Sequence, residues 1–150
     1  MSAPVQVIVV GVDGSEGGAA ALEYAAGEAV FRGARLRIVS AWQVPVVVHG
    51  HDFGPPLDPG TWHALGLAAQ RLADDAFAEA KTLQPSLEGE SLAVQGQPAD
   101  VLLDQGADAM LIVVGRRGLG GFGSLLLGSV SQQVVQHAAC PVVVVNQPAS

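Results

Sequence analysis

Four near-continuous apolar runs constrain the fold of this chain more than any other feature of its sequence. They read VQVIVVGV, LRIVSAW, MLIVVG and PVVVV, and a weaker fifth candidate is SLAVQG near residues 91–96. A strand that is buried on both faces has such a pattern, whereas a strand with one solvated face alternates apolar and polar residues. The runs therefore predict the strands of a buried, parallel sheet.

The segments between these runs have helical patterns. They read EGGAAALEYAAGEAVFRGA, WHALGLAAQRLADDAFAEAKTL, PADVLLDQG and GSLLLGSVSQQVVQHA. Strands that alternate with helices in this order predict an α/β fold, a three-layer open sandwich with right-handed crossovers, as one domain over residues 1–150. The Pro/Gly-rich segment QVPVVVHGHDFGPPLDPG is predicted to be an ordered or partly mobile loop. Because it leaves the carboxyl end of the second strand, we expect it to overhang any site there.

Charge and cysteine content limit the partners and the compartment. Fourteen acidic and seven basic residues give a net charge of −7, which disfavours binding to a nucleic acid polymer. No apolar run approaches the roughly 20 residues that a membrane-spanning helix needs. The N-terminus has no basic region of the kind that starts a signal peptide, and Cys140 is the single cysteine. A soluble, cytoplasmic protein without a membrane partner is predicted.

The segment GRRGLGGFGSLLLGS, residues 115–129, contains GLGGFG, which matches the dinucleotide fingerprint G-x-G-x-x-G. That fingerprint normally follows the first strand of its unit and needs an acidic residue about 20 positions later. Here the segment follows the penultimate strand, and no such acid is present. A Walker A loop is excluded because the chain has no Gly-Lys pair, and a G-x-S-x-G nucleophile elbow is also absent.

A wider spacing remains, in which Gly115 and Gly118 are followed by nine residues and then by Gly128 and Ser129. Glycines at a strand end let the backbone approach a ligand, and successive N–H groups there can bind a phosphate. A helix that begins near Ser129 would add its free N–H groups and its dipole to the same site. The alternative is that these glycines serve only a turn and close packing of helix against sheet.

This wider spacing resembles the nucleotide-binding signature of the universal stress protein family. VIVVGVDGSEGGAAALEYA and GQPADVLLDQGADAMLIVVG also resemble that family, so the similarity covers the chain except for about residues 45–60. The resemblance implies a five-stranded parallel sheet in the order 3-2-1-4-5, the ATP-binding branch of the family, and a homodimer that pairs through the last strand. It places the first and fourth strands side by side, where ligands bind in such sheets.

The resemblance also implies which residues border an adenine nucleotide. They are Gly11, Val12 and Asp13 after the first strand, Ala41 at the end of the second, and, around the phosphates and ribose, Val114, Gly115, Arg116, Arg117, Gly118, Gly128, Ser129, Val130 and Ser131. Asp13 is expected to accept hydrogen bonds from the nucleoside, the alternative being an aspartate that caps a turn or helix. Arg116 and Arg117 either neutralise a phosphate or face solvent.

The histidines give weaker signals. His49, His51 and Asp52, with His63 nearby, suggest a metal site, but a solvated loop is the favoured interpretation because no fixed ligand geometry accompanies them. His137 is expected either near a helix C-terminus or packed. No metal site and no catalytic residue are predicted.

The resemblance implies an ATP-binding regulator of stress response or dormancy, with Mg²⁺ carried by the nucleotide and an unidentified protein partner. An efficient hydrolase needs a positioned base and a charge-stabilising cation, and neither a catalytic lysine nor a carboxylate pair is evident. Slow ATP hydrolysis or autophosphorylation is the alternative. A second alternative is a dimeric interaction module that binds no nucleotide.

Overall fold

The computed structural model describes residues 4–55, 58–118 and 127–147, apart from the side chains of Val47 and His49. Strands and helices alternate along most of the chain. The elements are β1 (Val7–Gly11), α1 (Glu16–Arg32), β2 (Arg35–Trp42), β3 (Val47–His49), β4 (Asp52–Gly54), α2 (Pro59–Leu83), β5 (Gly89–Gln95), α3 (Pro98–Gln105), β6 (Leu111–Gly115), α4 (Ser129–His137) and β7 (Val142–Val145).

Five of the strands form one sheet in the order β5-β2-β1-β6-β7, and all its pairings are parallel. When the separate β3–β4 pair is left out of the count, this order is the predicted 3-2-1-4-5. The α/β class and the parallel sheet are therefore confirmed. The order reverses between β1 and β6, where Val10 is paired with Val113.

Both faces of the sheet are covered by helices, which makes the three layers. On one face, Ile8 and Val10 of β1 pack with the buried alanines of α1 and α2. On the other face, Val9 packs with residues of α3 and with Val134 of α4. Each Val or Ile side chain buried in this way contributes roughly 1.5–3 kcal/mol. Burial on both faces explains why the strand sequences are continuous apolar runs.

Local signals fix the ends of the first two long helices. The side chain of Ser15 accepts a hydrogen bond from the Gly18 N–H at the start of α1, and Gly33, with φ of 65°, ends that helix. Asp58 accepts from the Gly60 N–H at the start of α2, where Pro59 is the first helical residue. Within the described ranges, no helix combines the length and the apolar character needed to cross a bilayer.

The Pro/Gly-rich segment after β2 differs from the predicted loop because it contains a short antiparallel hairpin. Val47 to His49 pair with Asp52 to Gly54, and Gly50, with φ of 67°, lies in the turn between them. The hairpin leaves Val48 and Phe53 exposed, the latter by 76%. The last helix also begins later than its sequence pattern, since α4 starts at Ser129 and residues 119–126 lie outside the described part of the chain.

Candidate functional site

A cavity of about 470 Å³ lies at the carboxyl ends of β1, β2 and β6, next to the reversal of strand order. The first turns of α1, α3 and α4 complete its wall, through Ser15, Pro98 and Ser129. Pockets for small molecules measure roughly 300–1,000 Å³, and open α/β sheets bind ligands at this position. The cavity therefore has the size and place of a ligand site.

The wall between β6 and α1 is built from backbone in contact with backbone. A Cβ atom added to Gly115 would lie 2.5 Å from the Gly17 carbonyl oxygen, which is closer than atoms can approach. A Cβ on Gly17 would in turn collide with the Arg117 carbonyl oxygen. Gly115 therefore serves close packing of helix against strand, which was the alternative interpretation of the glycine pattern.

Gly118 has different surroundings. A Cβ atom on Gly118 would lie 2.5 Å from Oδ2 of Asp13, which is the end of a side chain rather than backbone. Gly118 is exposed and lines the cavity together with Asp13. Both glycines of the G-x-x-G pair line the cavity, but Gly115 also packs against the backbone of α1, whereas Gly118 faces the Asp13 carboxylate.

Asp13 holds the turn that leads from β1 into α1. Its Oδ1 accepts hydrogen bonds from the Ser15 N–H, at 2.9 Å, and from the Ser15 hydroxyl. The Ser15 hydroxyl oxygen in turn accepts from the Gly18 N–H at 3.1 Å. Between them, Gly14 adopts a positive φ of 83°, which favours glycine. The turn function is therefore present, and the same carboxylate also borders the cavity.

The N-terminus of α4 borders the cavity through Gly128, Ser129, Val130 and Ser131. Gly128 is the N-cap residue and has no side chain to occupy this end of the helix. The first backbone bond of the helix runs from the Gln132 N–H to the Gly128 carbonyl, at 3.0 Å. The N–H groups of Ser129, Val130 and Ser131 precede this bond, and the first N–H groups of a helix together with its dipole favour an anion.

The hydroxyl of Ser131 is committed to the backbone. Ser131 is 2% exposed, and its Oγ donates to the Arg116 carbonyl oxygen at 2.8 Å, with the Gly128 carbonyl oxygen at 3.1 Å. The Gly128 N–H donates to the same Arg116 carbonyl, also at 2.8 Å. The start of α4 is thus fastened to the segment that follows β6.

Nearly all of the residues singled out in the sequence lie together around this cavity. They are Gly11, Val12, Asp13, Ala41, Val114, Gly115, Arg117, Gly118, Gly128, Ser129, Val130 and Ser131. The exception is Arg116, which is half-buried and does not line the cavity. Its backbone N–H instead donates to the Val145 carbonyl of β7, at 3.0 Å.

The cavity also has a set of lining residues that the sequence interpretation missed: Ser15, Gly18, Val39, Pro98 and Leu102. Ser15 and Gly18 were within reach of a local argument, because the turn after β1 leads straight into the start of a helix. Val39 shares a strand face with Ala41, two residues away. Leu102 reaches the cavity from α3, and no local pattern indicated that contact.

The loop that carries His49 and His51 forms no metal site in the part of the chain whose side chains are described. Among those side chains, no group of three or more His, Cys, Asp or Glu is placed to hold a metal ion. His51 and His63 are exposed, and the side chain of His49 lies outside the description. His137 is exposed in the last turn of α4, next to the negative end of the helix dipole.

The model of the universal stress protein family matches residues 4–146 of the chain. The chain belongs to the universal stress protein family. A universal stress protein of Thermus aquaticus is 40% identical over 143 residues, with 94% of this chain and 98% of that protein covered. A family member of Mycolicibacterium smegmatis is 35% identical, and there the chain spans 93% of its own length but 45% of the relative.

Solved structures of the family have the same architecture. A crystal structure of a universal stress protein in complex with cAMP is 29% identical, with a TM-score of 0.68 over 96% of this chain and 98% of that one. The structure of a universal stress protein from Archaeoglobus fulgidus is 25% identical, with a TM-score of 0.68 over 95% and 99% of the two chains. The fold and the family are thus shown independently of the cavity.

Proposed function

We propose that this universal stress protein binds an adenine nucleotide in the cavity, as ATP with Mg²⁺ carried by the nucleotide. Occupancy then changes contacts with a second copy or with an unidentified partner, so the protein regulates a stress response or dormancy. The observation that carries the proposal is that one cavity is lined by apolar side chains and also by the N-terminus of α4 and Arg117. A family member that is 29% identical was crystallised with cAMP, which supports an adenine nucleotide as the ligand class.

The apolar end suits a flat base. Its lining residues are Val39 and Ala41 of β2 together with Pro98 and Leu102 of α3. The methyl side chain of Ala41 leaves space that a larger residue would fill. A base that enters this end loses apolar contact with water, which favours binding by about 25 cal/mol for each Å² removed.

The opposite end suits phosphate. The first turn of α4 and Gly118 line the cavity there, and a glycine without a Cβ lets a ligand approach the backbone. Arg117 is the basic residue among the lining residues, and a guanidinium donates to phosphate oxygens in a fixed geometry. Because the net charge of the chain is −7, Mg²⁺ on the nucleotide reduces the repulsion that a free triphosphate would meet.

Binding is favoured over rapid turnover. Among the lining residues that the structure describes, Asp13 is the one carboxylate, and its Oδ1 already accepts two hydrogen bonds from Ser15. The described lining includes neither histidine nor lysine. A general base with a clear geometry is therefore not among the lining residues. Hydrolysis of ATP, measured as phosphate release, is expected to be slow. Autophosphorylation is tested in the same reaction with labelled ATP, as label that stays on the protein.

The proposal includes a homodimer that pairs through β7, at an edge of the sheet. The carbonyls of Pro141, just before β7, and of Val145 accept hydrogen bonds from the N–H groups of Ile112 and Arg116, so alternate residues along this segment face β6. The backbone groups of Val142 and Val144 consequently face outward. An edge of this kind pairs readily with another strand. The cytoplasmic location expected from the sequence stays a prediction.

The test is calorimetric titration of nucleotide-stripped protein with Mg-ATP, together with Gly118→Ala and a matched control, Gly27→Ala. We expect one site for each chain. In Gly118→Ala the new methyl meets Oδ2 of Asp13, whereas the bonds to Ser15 use Oδ1, so affinity falls at least about tenfold while the thermal unfolding temperature is retained. At Gly27, in α1, a Cβ meets only the Gln84 side chain at 3.7 Å, so binding and stability are kept.

Other outcomes would contradict the proposal in distinguishable ways. If the wild type neither binds Mg-ATP nor retains a nucleotide after purification, the cavity is not a nucleotide site. If cAMP or AMP binds and ATP does not, the ligand class stands and ATP is the wrong member. If Gly118→Ala unfolds, that glycine serves packing, as Gly115 does.

A further inference from the structure

We infer that the backbone of Arg116 couples occupancy of the cavity to pairing at the β7 edge, and that Ser131 is the positioning residue for this coupling. The inference rests on the proposed function, since it assigns a regulatory step to the same site. It is carried by four described hydrogen bonds that connect the cavity wall to the last residue of the edge strand.

The cavity side of the connection is the Arg116 carbonyl. It accepts hydrogen bonds from the Gly128 N–H and from the Ser131 hydroxyl, each at 2.8 Å. Gly128 and Ser131 both line the cavity. Ser131 is 2% exposed, so its hydroxyl cannot exchange this partner for water unless the start of α4 moves. A ligand that fixes the first turn of α4 therefore also fixes the Arg116 carbonyl.

The edge side is the N–H of the same residue. It donates to the Val145 carbonyl at 3.0 Å, at the end of β7, where Gly115 is paired with Val145. The N–H and the carbonyl of Arg116 are separated by one Cα atom, so a displacement of one group reaches the other through two dihedral angles. These hydrogen bonds use the backbone of Arg116 and not its side chain. Arg116 accordingly belongs to the motif segment without lining the cavity.

The direction of the effect follows from ordering. A nucleotide held by Gly118 and the N-terminus of α4 fixes the Arg116 backbone and keeps the end of β7 extended. A second copy that pairs with β7 then meets a strand whose conformational entropy is already reduced, so pairing is tighter. Linkage requires the reciprocal effect, in which the paired protein binds nucleotide more tightly by the same factor.

The experiment measures the dimer dissociation constant by sedimentation velocity, with and without saturating Mg-ATP. For the wild type we expect Mg-ATP to lower this constant at least about fivefold, the lower end of typical coupling. Gln133→Ala, an exposed substitution on the same helix, keeps the wild-type factor. In Ser131→Ala the factor falls to within about twofold of unity, because the Arg116 carbonyl loses one of its two donors.

A second measurement does not depend on a variant that folds. Hydrogen exchange of wild-type peptides that cover residues 142–147 is expected to slow when Mg-ATP is added, at protein concentrations where the chain is monomeric. Ser131→Cys, which keeps a weaker donor at the same place, should give a coupling factor between those of wild type and Ser131→Ala.

The possible failures are separable. No heat of binding for Mg-ATP overturns both the proposed function and the inference. Binding with an unchanged dimer constant and unchanged exchange at residues 142–147 overturns the inference alone. A chain that stays monomeric at all concentrations, with unchanged exchange, also overturns the inference and leaves nucleotide binding in place.

Discussion

The two edges of the sheet differ in what contacts their outward-facing backbone groups. At the β5 edge, the side-chain amide of Gln70, from α2, takes the place of a neighbouring strand. Its Oε1 accepts from the Ala93 N–H at 3.1 Å, and its Nε2 donates to the Ser91 carbonyl at 3.3 Å. Those are the backbone groups of β5 that face away from β2, because alternate residues of a parallel strand bond to each neighbour. One glutamine side chain thus bonds two of the outward-facing backbone groups of β5.

The β7 edge has no such cover among the described residues. Its four residues, Val142–Val145, are all β-branched and half-buried, and in the sheet β7 has a neighbour on one side only. Exposed edges of this type are sites of strand addition. Since two outward backbone groups of β5 are already bonded to a side chain and β7 has no such cover among the described residues, we expect self-association to use β7 rather than β5.

The largest expected effect comes from blocking the β7 edge. Val144→Pro removes the outward N–H of Val144, and a proline is tolerated in an edge strand but cannot pair. We expect self-association to weaken about 100-fold or more in sedimentation experiments. The hydrogen bond from the Val144 N–H to a second strand is lost together with the strand geometry around it. Val144→Thr keeps the N–H and the β-branched shape, so it should associate as wild type does. A dimer that survives the proline unchanged would place the interface elsewhere.

The next effect comes from opening the β5 edge. Gln70→Ala leaves the Ala93 N–H and the Ser91 carbonyl without the amide, which costs about 1–3 kcal/mol for two hydrogen bonds. Chemical denaturation should show this loss, and light scattering should show new, concentration-dependent association. Gln133→Ala, which removes an exposed glutamine from α4, serves as the control and should change neither quantity. Unchanged scattering in Gln70→Ala would mean that packing, rather than the amide, protects this edge.

The smallest effect is the acid sensitivity of the same edge. Hydrogen bonds from Ser91 and then from Gln70 hold the pKa of Asp74 below its ordinary value. A carboxylate with a lowered pKa in the folded state stabilises that state above the ordinary pKa, and the contribution disappears as pH falls through the folded pKa. The stability difference between wild type and Asp74→Asn should therefore be constant above about pH 5 and shrink below about pH 4.

The measurement for this prediction is urea denaturation of both proteins across that pH range. Asp74 accepts from Ser91 Oγ at 2.6 Å and from Gln70 Nε2 at 2.9 Å, so it also orients the amide that covers β5. A difference that grows in acid would contradict the assigned direction. Such a result would mean that protonated Asp74 serves the edge better than the carboxylate does.

The sequence predicted the parts of this molecule that depend on neighbouring residues. Continuous apolar runs indicated strands buried on both faces, and Gly115, Gly118, Gly128 and Ser129 indicated a strand end and a helix start that share a cavity. Each of these signals lies within a few residues of its structural consequence. The family resemblance added the strand order, which no local pattern contains.

The contacts that the sequence did not predict join distant residues. Gln70 meets Ala93 across 23 positions, and Leu102 reaches the cavity only because α3 crosses the sheet. Arg116 and Arg117 are adjacent and chemically alike, yet one lines the cavity and the other does not. Which arginine borders the cavity depends on the path of the backbone after β6. That path is set by the hydrogen bonds of the Arg116 backbone to Val145 and Ser131 rather than by either arginine side chain.

The contact of Gly17 with Gly115 fixes one dimension of the cavity. Where two side chains meet, rotamer changes let a gap widen or narrow, but here no side chain stands between the helix and the strand. The distance between the start of α1 and the end of β6 is therefore fixed by contact of backbone with backbone. We expect adaptation to a ligand of another size to come from lining residues with side chains, such as Leu102, which can change rotamer, and Ala41, which can be enlarged. Selectivity for ligand size in this protein is thus expected to vary with the residues of α3 and β2, and to be insensitive to the glycine wall.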